Sequence, residues 1–473
     1  MPDRILVFAR RGYFQRLPQL AEGLGFGGSV DLVSDERLVE LRGGVWWKHA
    51  RPLQSVDVEK VIAGAVGEWQ GVQRRCRHLR GIEFADARRL IEEAIRRWLG
   101  LLDSRKPGAV LSLPVDSFVL DTFRLCCEYL GVPFLAVVGS PFPGRLRFTD
   151  WQGTLLGSRP IDKEIAEGER QRLGKHSGTY KPDWLIGLDR PSGTVIRRRR
   201  LIDAVKPAGN LVYRRAAGDP ESYSFPRREH LQRRMFATPS RAAAASRWER
   251  AAASARALPR DYIFLPLQFY PECSTDYWTQ GPLVGAYHPA TLEVVRSLTT
   301  SGPVVVKEHP AAIGRRSARF LDQLLSIPGV HPVPVQAPVS ELWPHAAATV
   351  GIGSTTMLQV LAGGGNAVFL GSAPFYGQGA GRVSLECQGD ELRQEVAAAC
   401  RPADSEQRTQ DNLSAVQRYL EATAEGSLGG FRPLGERAHA AGNRGVLVSD
   451  ELRDHFVAAR GERGLGSRGE LAR

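Results

Sequence analysis

A chain of 473 residues is too long for one ordinary hydrophobic core and is expected to fold as two domains with linking helices. Apolar residues at 42% and charged residues at 24% match an ordinary globular protein, and no apolar run approaches the roughly 20 residues that span a bilayer. The net charge is +12, and residues 190–260 hold all of the excess: 17 basic residues against 5 acidic ones, with the rest balanced at 46 against 46.

The first half alternates strand and helix. Ile5 to Phe8 is a short apolar strand, too short for a signal-peptide core, and Arg10, Arg11 and Gly12 form a loop before a helix running to about Leu24. Val30 to Val33 is a second strand. Two long helices are expected next. In the second, Ile91, Ala94, Ile95, Trp98, Leu99 and Leu102 make one apolar stripe at helical spacing. Glu92 with Arg96 and Glu93 with Arg97 form i,i+4 pairs on its outer face, and Pro107 ends it. Ala109 to Leu113 is a strand, Asp116 and Ser117 sit in a loop, a helix runs to Leu130, and Phe134 to Val138 is a strand. Such alternation predicts a parallel sheet with both faces covered.

From about 150 to 258 the pattern weakens into an Arg-, Gly- and Pro-rich stretch with helical pieces such as Arg241 to Ala257, expected to be an interdomain insertion. Its basic excess, including Arg197, Arg198, Arg199 and Arg200, suits an acidic lipid or acidic glycan, or is a solvated linker. No zinc-finger spacing, RNP-type strand or helix-turn-helix pattern accompanies it, so no nucleic acid is expected. Alternation then returns: strands Tyr262 to Leu267, Val304 to Val306, Ala347 to Val350 and Ala367 to Leu370, with helices Leu292 to Leu298, Ser317 to Leu325 and Thr355 to Ala362. The expected domains are therefore 1–150, the insertion 151–258, 259–410, C-terminal helices over 411–457, and a charged disordered tail over 458–473.

Three segments of the second half end on strand edges, where open α/β sheets bind ligands. In VVVKEHP, residues 304–310, Lys307 and His309 are two apart and face one side, so that a cation and an imidazole meet a phosphate. In GIGSTTMLQVLAGG, residues 351–364, Gly351 and Gly353 let a ligand approach the backbone, and Ser354, Thr355 and Thr356 open a helix whose free N–H groups attract an anion. The pattern is neither a Walker A loop nor GxGxxG. In FLPLQFYPECST, residues 264–275, Gln268, Glu272, Ser274 and Thr275 offer hydrogen bonds to a sugar or ribose, and Glu272 is also expected as a catalytic residue. Each segment also has a plain structural reading, as a cap, a turn or loop packing. In the first half, Asp116 is either a general base on an acceptor hydroxyl or, with Ser117, a helix cap, and the Arg10–Tyr13 loop suits an anionic acceptor. The six cysteines, Cys76, Cys126, Cys127, Cys273, Cys387 and Cys400, show no metal spacing and are expected to be reduced. No DxD or HExxH motif appears, so neither a metal nor another cofactor is expected.

The run FLPLQFYPE, then VVVKEHP, then LWPHAAATVGIGSTTMLQVLAGGGNAVFLGSAPFY resembles the capsule polysaccharide biosynthesis family, which includes Kdo transferases, over residues 261–380. That resemblance implies a GT-B-like α/β fold, two doubly wound Rossmann-type domains facing a cleft, with the basic helical insertion between them. It implies transfer of a sugar from a nucleotide donor, a CMP-sugar such as CMP-Kdo, to a glycan or lipid-linked acceptor. It would put Lys307, His309, Ser354 and Thr355 on the donor phosphate. The family often carries an acid after the Gly-Ser-Thr, where this chain has Gln359, an amide that can still hydrogen-bond a ribose. A UDP-GlcNAc 2-epimerase-like isomerase and a non-catalytic glycan- or lipid-binding member of an export complex are the alternative readings. The protein is expected in the cytoplasm, with the basic segment able to dock it on an anionic inner membrane face. The sequence does not give the oligomeric state.

Overall fold

Short strands that are apolar on both faces call for helices on each side of the sheet. The computed structural model describes residues 4–26, 30–64, 69–142, 144–174, 192–219, 236–254, 257–279, 281–371, 381–383, 389–400, 405–428 and 446–464. It divides into two compact units. Unit 1 comprises Met1–Pro160, Asn210–His230 and Glu421–Arg473, and unit 2 comprises Ile161–Gly209 and Leu231–Leu420. Among the described residues no helix is long and apolar enough to cross a membrane.

In unit 1 the strands β1 (Ile5–Phe8), β2 (Val30–Ser34), β3 (Val45–Trp46), β4 (Ala109–Ser112) and β5 (Phe134–Gly139) are parallel, in the order β3-β2-β1-β4-β5. β6 (Arg145–Thr149) joins antiparallel to β5, and β7 (Leu155–Leu156) pairs with β6. Helix α1 (Arg16–Ala21) follows β1. Helix α2 (Phe84–Arg105) buries the expected stripe of Ile91, Ala94, Ile95, Trp98, Leu99 and Leu102. The large apolar members each contribute about 1.5–3 kcal/mol on burial. Trp98 stacks on Phe123 of α3 (Phe118–Tyr129) at 4.2 Å between centroids and donates its Nε1–H to Val119 O at 2.9 Å. The outer pairs Arg96–Glu92 and Arg97–Glu93 form as expected, at 2.9 and 3.0 Å. Between β2 and α2 the chain makes β3, short 3-10 turns and two α-helices, Val58–Gly64 and Trp69–Arg75, where the sequence reading expected one long helix.

In unit 2 the strands β8 (Tyr262–Pro266), β9 (Val304–Lys307), β10 (Val330–Val333), β11 (Ala346–Gly351), β12 (Ala367–Leu370) and β13 (Gly381–Val383) are all parallel, in the order β10-β9-β8-β11-β12-β13. This is the doubly wound Rossmann order, with its reversal between β8 and β11. β10 escapes a reading of the sequence because its residues are Val-His-Pro-Val, and a proline inside a strand is tolerated at an edge, where β10 lies. The unit also contains α4 (Ser192–Ala217) as far as Gly209, α5 (Pro239–Ser254), α6 (Cys273–Asp276), α7 (Tyr287–Thr299), α8 (Ala318–Leu325) and α9 (Thr355–Ala362). Trp248 of α5 is 1% exposed, lies in the main core with Val304, Val306 and Leu324, and donates to Val333 O at 3.1 Å. The expected insertion 151–258 is therefore not a separate module: α5 is a core helix of unit 2, and residues 210–219 go with unit 1. Alanine-rich α5 has a weak apolar pattern, and a single tryptophan anchors it.

The chain then returns to unit 1. β14 (Thr423–Ser427) pairs antiparallel with β6, β15 (Leu447–Val448) pairs with β14, and α10 (Asp450–Gly464) packs on the sheet. Phe456 meets Phe26 and Phe148 edge-on at 5.6 and 5.4 Å. The tail expected to be disordered from 458 is helical to Gly464, because Leu452, Phe456 and Ala459 fill a core. Residues 465–473 lie outside the described residues. The α/β class and the two doubly wound units agree with the sequence reading.

Candidate functional site

In unit 2 the three motif segments leave the carboxyl ends of three neighbouring strands, β9, β8 and β11. Register places Pro266 opposite Lys307, and Phe264 opposite Thr349. The 304–310, 264–275 and 351–364 segments therefore share one sheet edge, at the point where the strand order reverses and a crevice is expected.

At the end of β9 every residue is buried. Lys307 is 6% exposed and donates its ammonium to Val335 O at 2.7 Å. Burial lowers its pKa to about 8. The expectation of a free ammonium facing a phosphate is corrected here: strand geometry turns Lys307 into the unit, where a carbonyl takes it. Glu308, 2% exposed, accepts Arg316 Nε and Nη2 at 2.8 and 2.7 Å and the His309 N–H at 2.6 Å. Arg316, fully buried, also donates to Gln268 O at 2.7 Å. This ion pair ties the end of β9 to the segment after β8.

His309 is half-buried and caps the turn Pro310–Ala312; its Nδ1 accepts the Ala311 N–H at 3.1 Å. Burial, then the charges of Lys307, Arg316 and Arg199, lower its pKa to about 3. The ring is therefore neutral near pH 7. With Nδ1 accepting, the proton sits on Nε2, so the imidazole presents an N–H donor and not an acid. Arg199 of α4 braces this loop from behind, donating to Ile313 O at 2.7 Å and Pro310 O at 3.3 Å. One arginine of the basic run thus faces inward. The spacing Val195, Ile196, Arg199, Asp203 along a helix is the signal for it, since Val195, Ile196 and Asp203 are also buried.

After β8, Glu272 precedes α6. Its N–H donates to Thr275 Oγ1 at 3.1 Å, and its carboxylate accepts the Ser274 hydroxyl at 2.9 Å. Gln268 Nε2 donates to Ser274 Oγ at 3.2 Å. These residues, expected to contact a sugar, mainly satisfy one another, and the catalytic role expected of Glu272 gives way to a capping role.

After β11, Gly351 is buried, and an added Cβ would lie 2.8 Å from Met357 Sδ. Its smallness serves the packing of α9 and not the approach of a ligand. Gly353, Ser354, Thr355 and Thr356 are half-buried, and Ser354 is the N-cap residue of α9. The first N–H groups of a helix lack intrahelical partners and concentrate positive potential. Gln359, also half-buried, lies one turn further on.

Unit 1 has its own cluster at the matching edge. Arg10, after β1, donates to both oxygens of Asp35 at 2.7–3.0 Å, to Asp116 at 2.5 Å and to Ser117 Oγ at 2.7 Å. Arg77 lies 3.6 Å from Asp116, and Ser117 caps α3 by accepting the Leu120 N–H at 3.3 Å. At this edge the expected roles of Asp116, and of Arg10 within the Arg10–Tyr13 loop, are corrected. Asp116 is held between two guanidinium groups and is not placed as a general base. Arg10 is saturated by two carboxylates, which leaves it poorly suited to an anionic acceptor. Asp35 was missed; its only signal is an acid directly after the second strand.

Among the described residues no group of three or more His, Cys, Asp or Glu is placed to hold a metal. Cys76, Cys126, Cys127, Cys273 and Cys400 form no disulfide among the described residues; Cys387 lies outside them.

No family model matches the chain, and no curated protein is significantly similar to it. Solved structures do align over most of its length. A glycosyltransferase from Rickettsia africae is 9% identical over 89% of this chain and 93% of that one, with a TM-score of 0.29. S. aureus MnaA in a structure with UDP is 10% identical over 89% and 93%, with a TM-score of 0.31. MurG from Acinetobacter baumannii is 11% identical over 89% and 96%, with a TM-score of 0.29. The fold stated above rests on the strand order of this chain itself.

Proposed function

We propose that this chain is a glycosyltransferase that takes a nucleotide-sugar donor on unit 2 and passes the sugar to a glycan or lipid-linked acceptor. The observation that carries the reading is the single edge of unit 2 where the three motif segments meet at the strand-order reversal, with the start of α9 half-open beside it. When the sugar–phosphate bond breaks, the electron pair goes to the phosphate oxygen. That charge needs preorganised donors. The N–H groups and hydroxyls at Ser354–Thr356 are suited to bind the phosphate, and the neutral Nε2–H of His309 is suited to donate to the leaving oxygen. Lys307 and the Glu308–Arg316 pair hold the His309 loop in place. Gln359 is the group in this proposal for the donor ribose. The motif resemblance favours a CMP-sugar, with CMP-Kdo the first donor to try, in assembly of a surface or capsular polysaccharide.

These donors belong to the protein, so the proposal is metal-independent: transfer in excess EDTA should equal transfer with Mg²⁺ or Mn²⁺. The direct test is a thermal-shift series with CMP, CDP, UMP, UDP and GDP, followed by transfer from the best-bound nucleotide sugar. CMP should give the largest stabilisation. Indifference to all five removes the proposal, and conversion of UDP-GlcNAc without acceptor would replace it with an isomerase.

A further inference from the structure

The basic helix α4 carries a second feature that the site does not use. Its inner face is fixed to unit 2: Val195 and Ile196 enter the core, Arg199 holds the 310–313 loop, and Asp203 accepts Arg315 at 2.9 and 3.0 Å and the Ala237 N–H at 2.8 Å. The opposite face should be polar if it only met water. It is not. Leu201 and Val205 are 71% and 62% exposed, and with exposed Ala208 they fall at i, i+4 and i+7, one apolar stripe within unit 2. Exposed Arg197, Arg198 and Arg200 lie at one end of the stripe; among the described residues none of these three forms an ion pair. The helix as a whole holds seven basic residues and one acid, and that acid, Asp203, is already committed to Arg315.

We infer that the outer face of α4 lies on an anionic lipid bilayer, the Leu-Val stripe entering the acyl boundary while the arginines reach headgroup phosphates. An apolar stripe with a cluster of cations at its end fits a surface that is apolar below and negative above, and arginine stems can lie along the apolar surface while their heads stay at the phosphates. A second copy of this chain would bring the same charges to the same place and repel. The inference does not depend on the transferase reading, because it concerns binding alone.

The test is co-sedimentation of the whole chain with vesicles of phosphatidylcholine, with and without phosphatidylglycerol. Binding should require the anionic lipid and fall steeply between low salt and about 0.5 M NaCl, where screening is short-ranged. The double variant Leu201→Ser/Val205→Ser and the triple variant Arg197→Gln/Arg198→Gln/Arg200→Gln should each reduce the bound fraction roughly five-fold or more, since both terms contribute to interfacial binding. All these positions are exposed, so circular dichroism and thermal midpoint should stay those of the parent. Absence of binding at low salt, or parent-level binding by either variant, overturns the inference. So does a concentration-dependent dimer that Leu201→Ser/Val205→Ser abolishes, which would assign the stripe to a second copy.

Discussion

Replacing Glu308 by alanine should destabilise unit 2 more than it disturbs any surface. Arg316 is fully buried and Glu308 nearly so; two charge-assisted bonds join them, and Glu308 also accepts the His309 N–H. Glu308→Ala leaves a guanidinium in the interior with, among the described residues, only the Gln268 carbonyl at hydrogen-bond distance. Breaking a buried pair on one side costs about 3–5 kcal/mol. For a unit of this size, at about 2–4 °C per kcal/mol, the melting temperature should fall by roughly 6–20 °C. Arg316→Ala should cost a similar amount. The pair Glu308→Leu/Arg316→Met, which removes both charges and keeps volume, should be clearly more stable than either single variant. Urea titration of all four proteins, monitored by tryptophan fluorescence, closes the cycle. Single-variant losses below about 1 kcal/mol would refute the reasoning, because such values belong to exposed pairs.

His309→Ala should lower transfer about 100-fold or more with donor binding less affected, as expected for a donor that acts at the leaving oxygen. A neutral donor also predicts a wild-type rate that does not decline as pH rises from 6 to 8; a decline through pH 6.5 would restore an imidazolium acid. Lys307 has a folded pKa depressed from 10.5 to about 8, so between those values the unfolded chain binds the extra proton and stability rises with pH. The urea stability of the parent minus that of Lys307→Met should therefore grow from pH 8 towards 10.5, at most by about 1.4 kcal/mol per pH unit, and a flat difference would count against the burial argument. Gly351→Ala forces a Cβ against Met357 Sδ and should cost about 1–3 kcal/mol in chemical denaturation; a neutral effect would mean that α9 shifts freely.

Much of the architecture is legible because parallel strands covered on both faces are nearly pure apolar runs. Ile5–Phe8, Ala109–Ser112 and Val304–Val306 need no context to be read. Strands that lie at an edge or close a sheet are not legible in this way. Val330–Val333 contains a proline, and Thr423–Ser427 is polar and gains its place only by pairing with β6. At the site, the motifs show which residues end strands but not which way each side chain turns. Lys307 and His309 look equivalent in sequence. One is buried against a carbonyl contributed by Val335, and the other is held by its own following turn, a difference set by residues far apart in the chain or by a cap only two residues long. Arg199 is hidden for another reason: in a run of four arginines only the helical phase set by Val195 and Asp203 distinguishes the inward one.

The return of the chain to unit 1 has a consequence for synthesis. β6 emerges from the ribosome with β7 covering only Phe148 and Thr149 of its outer edge, and the strand that pairs with Arg145–Arg147, β14, begins only at Thr423, after nearly all of unit 2 has been made. At ~5–20 residues per second that Arg145–Arg147 part of the edge stays uncovered for on the order of ten seconds or more. Unit 2, whose described strands lie between Tyr262 and Val383, has that sheet available well before then. The part of the protein begun first is thus the last to be finished, and a nascent chain stopped short of Thr423 carries a complete second sheet and an open, adhesive first one.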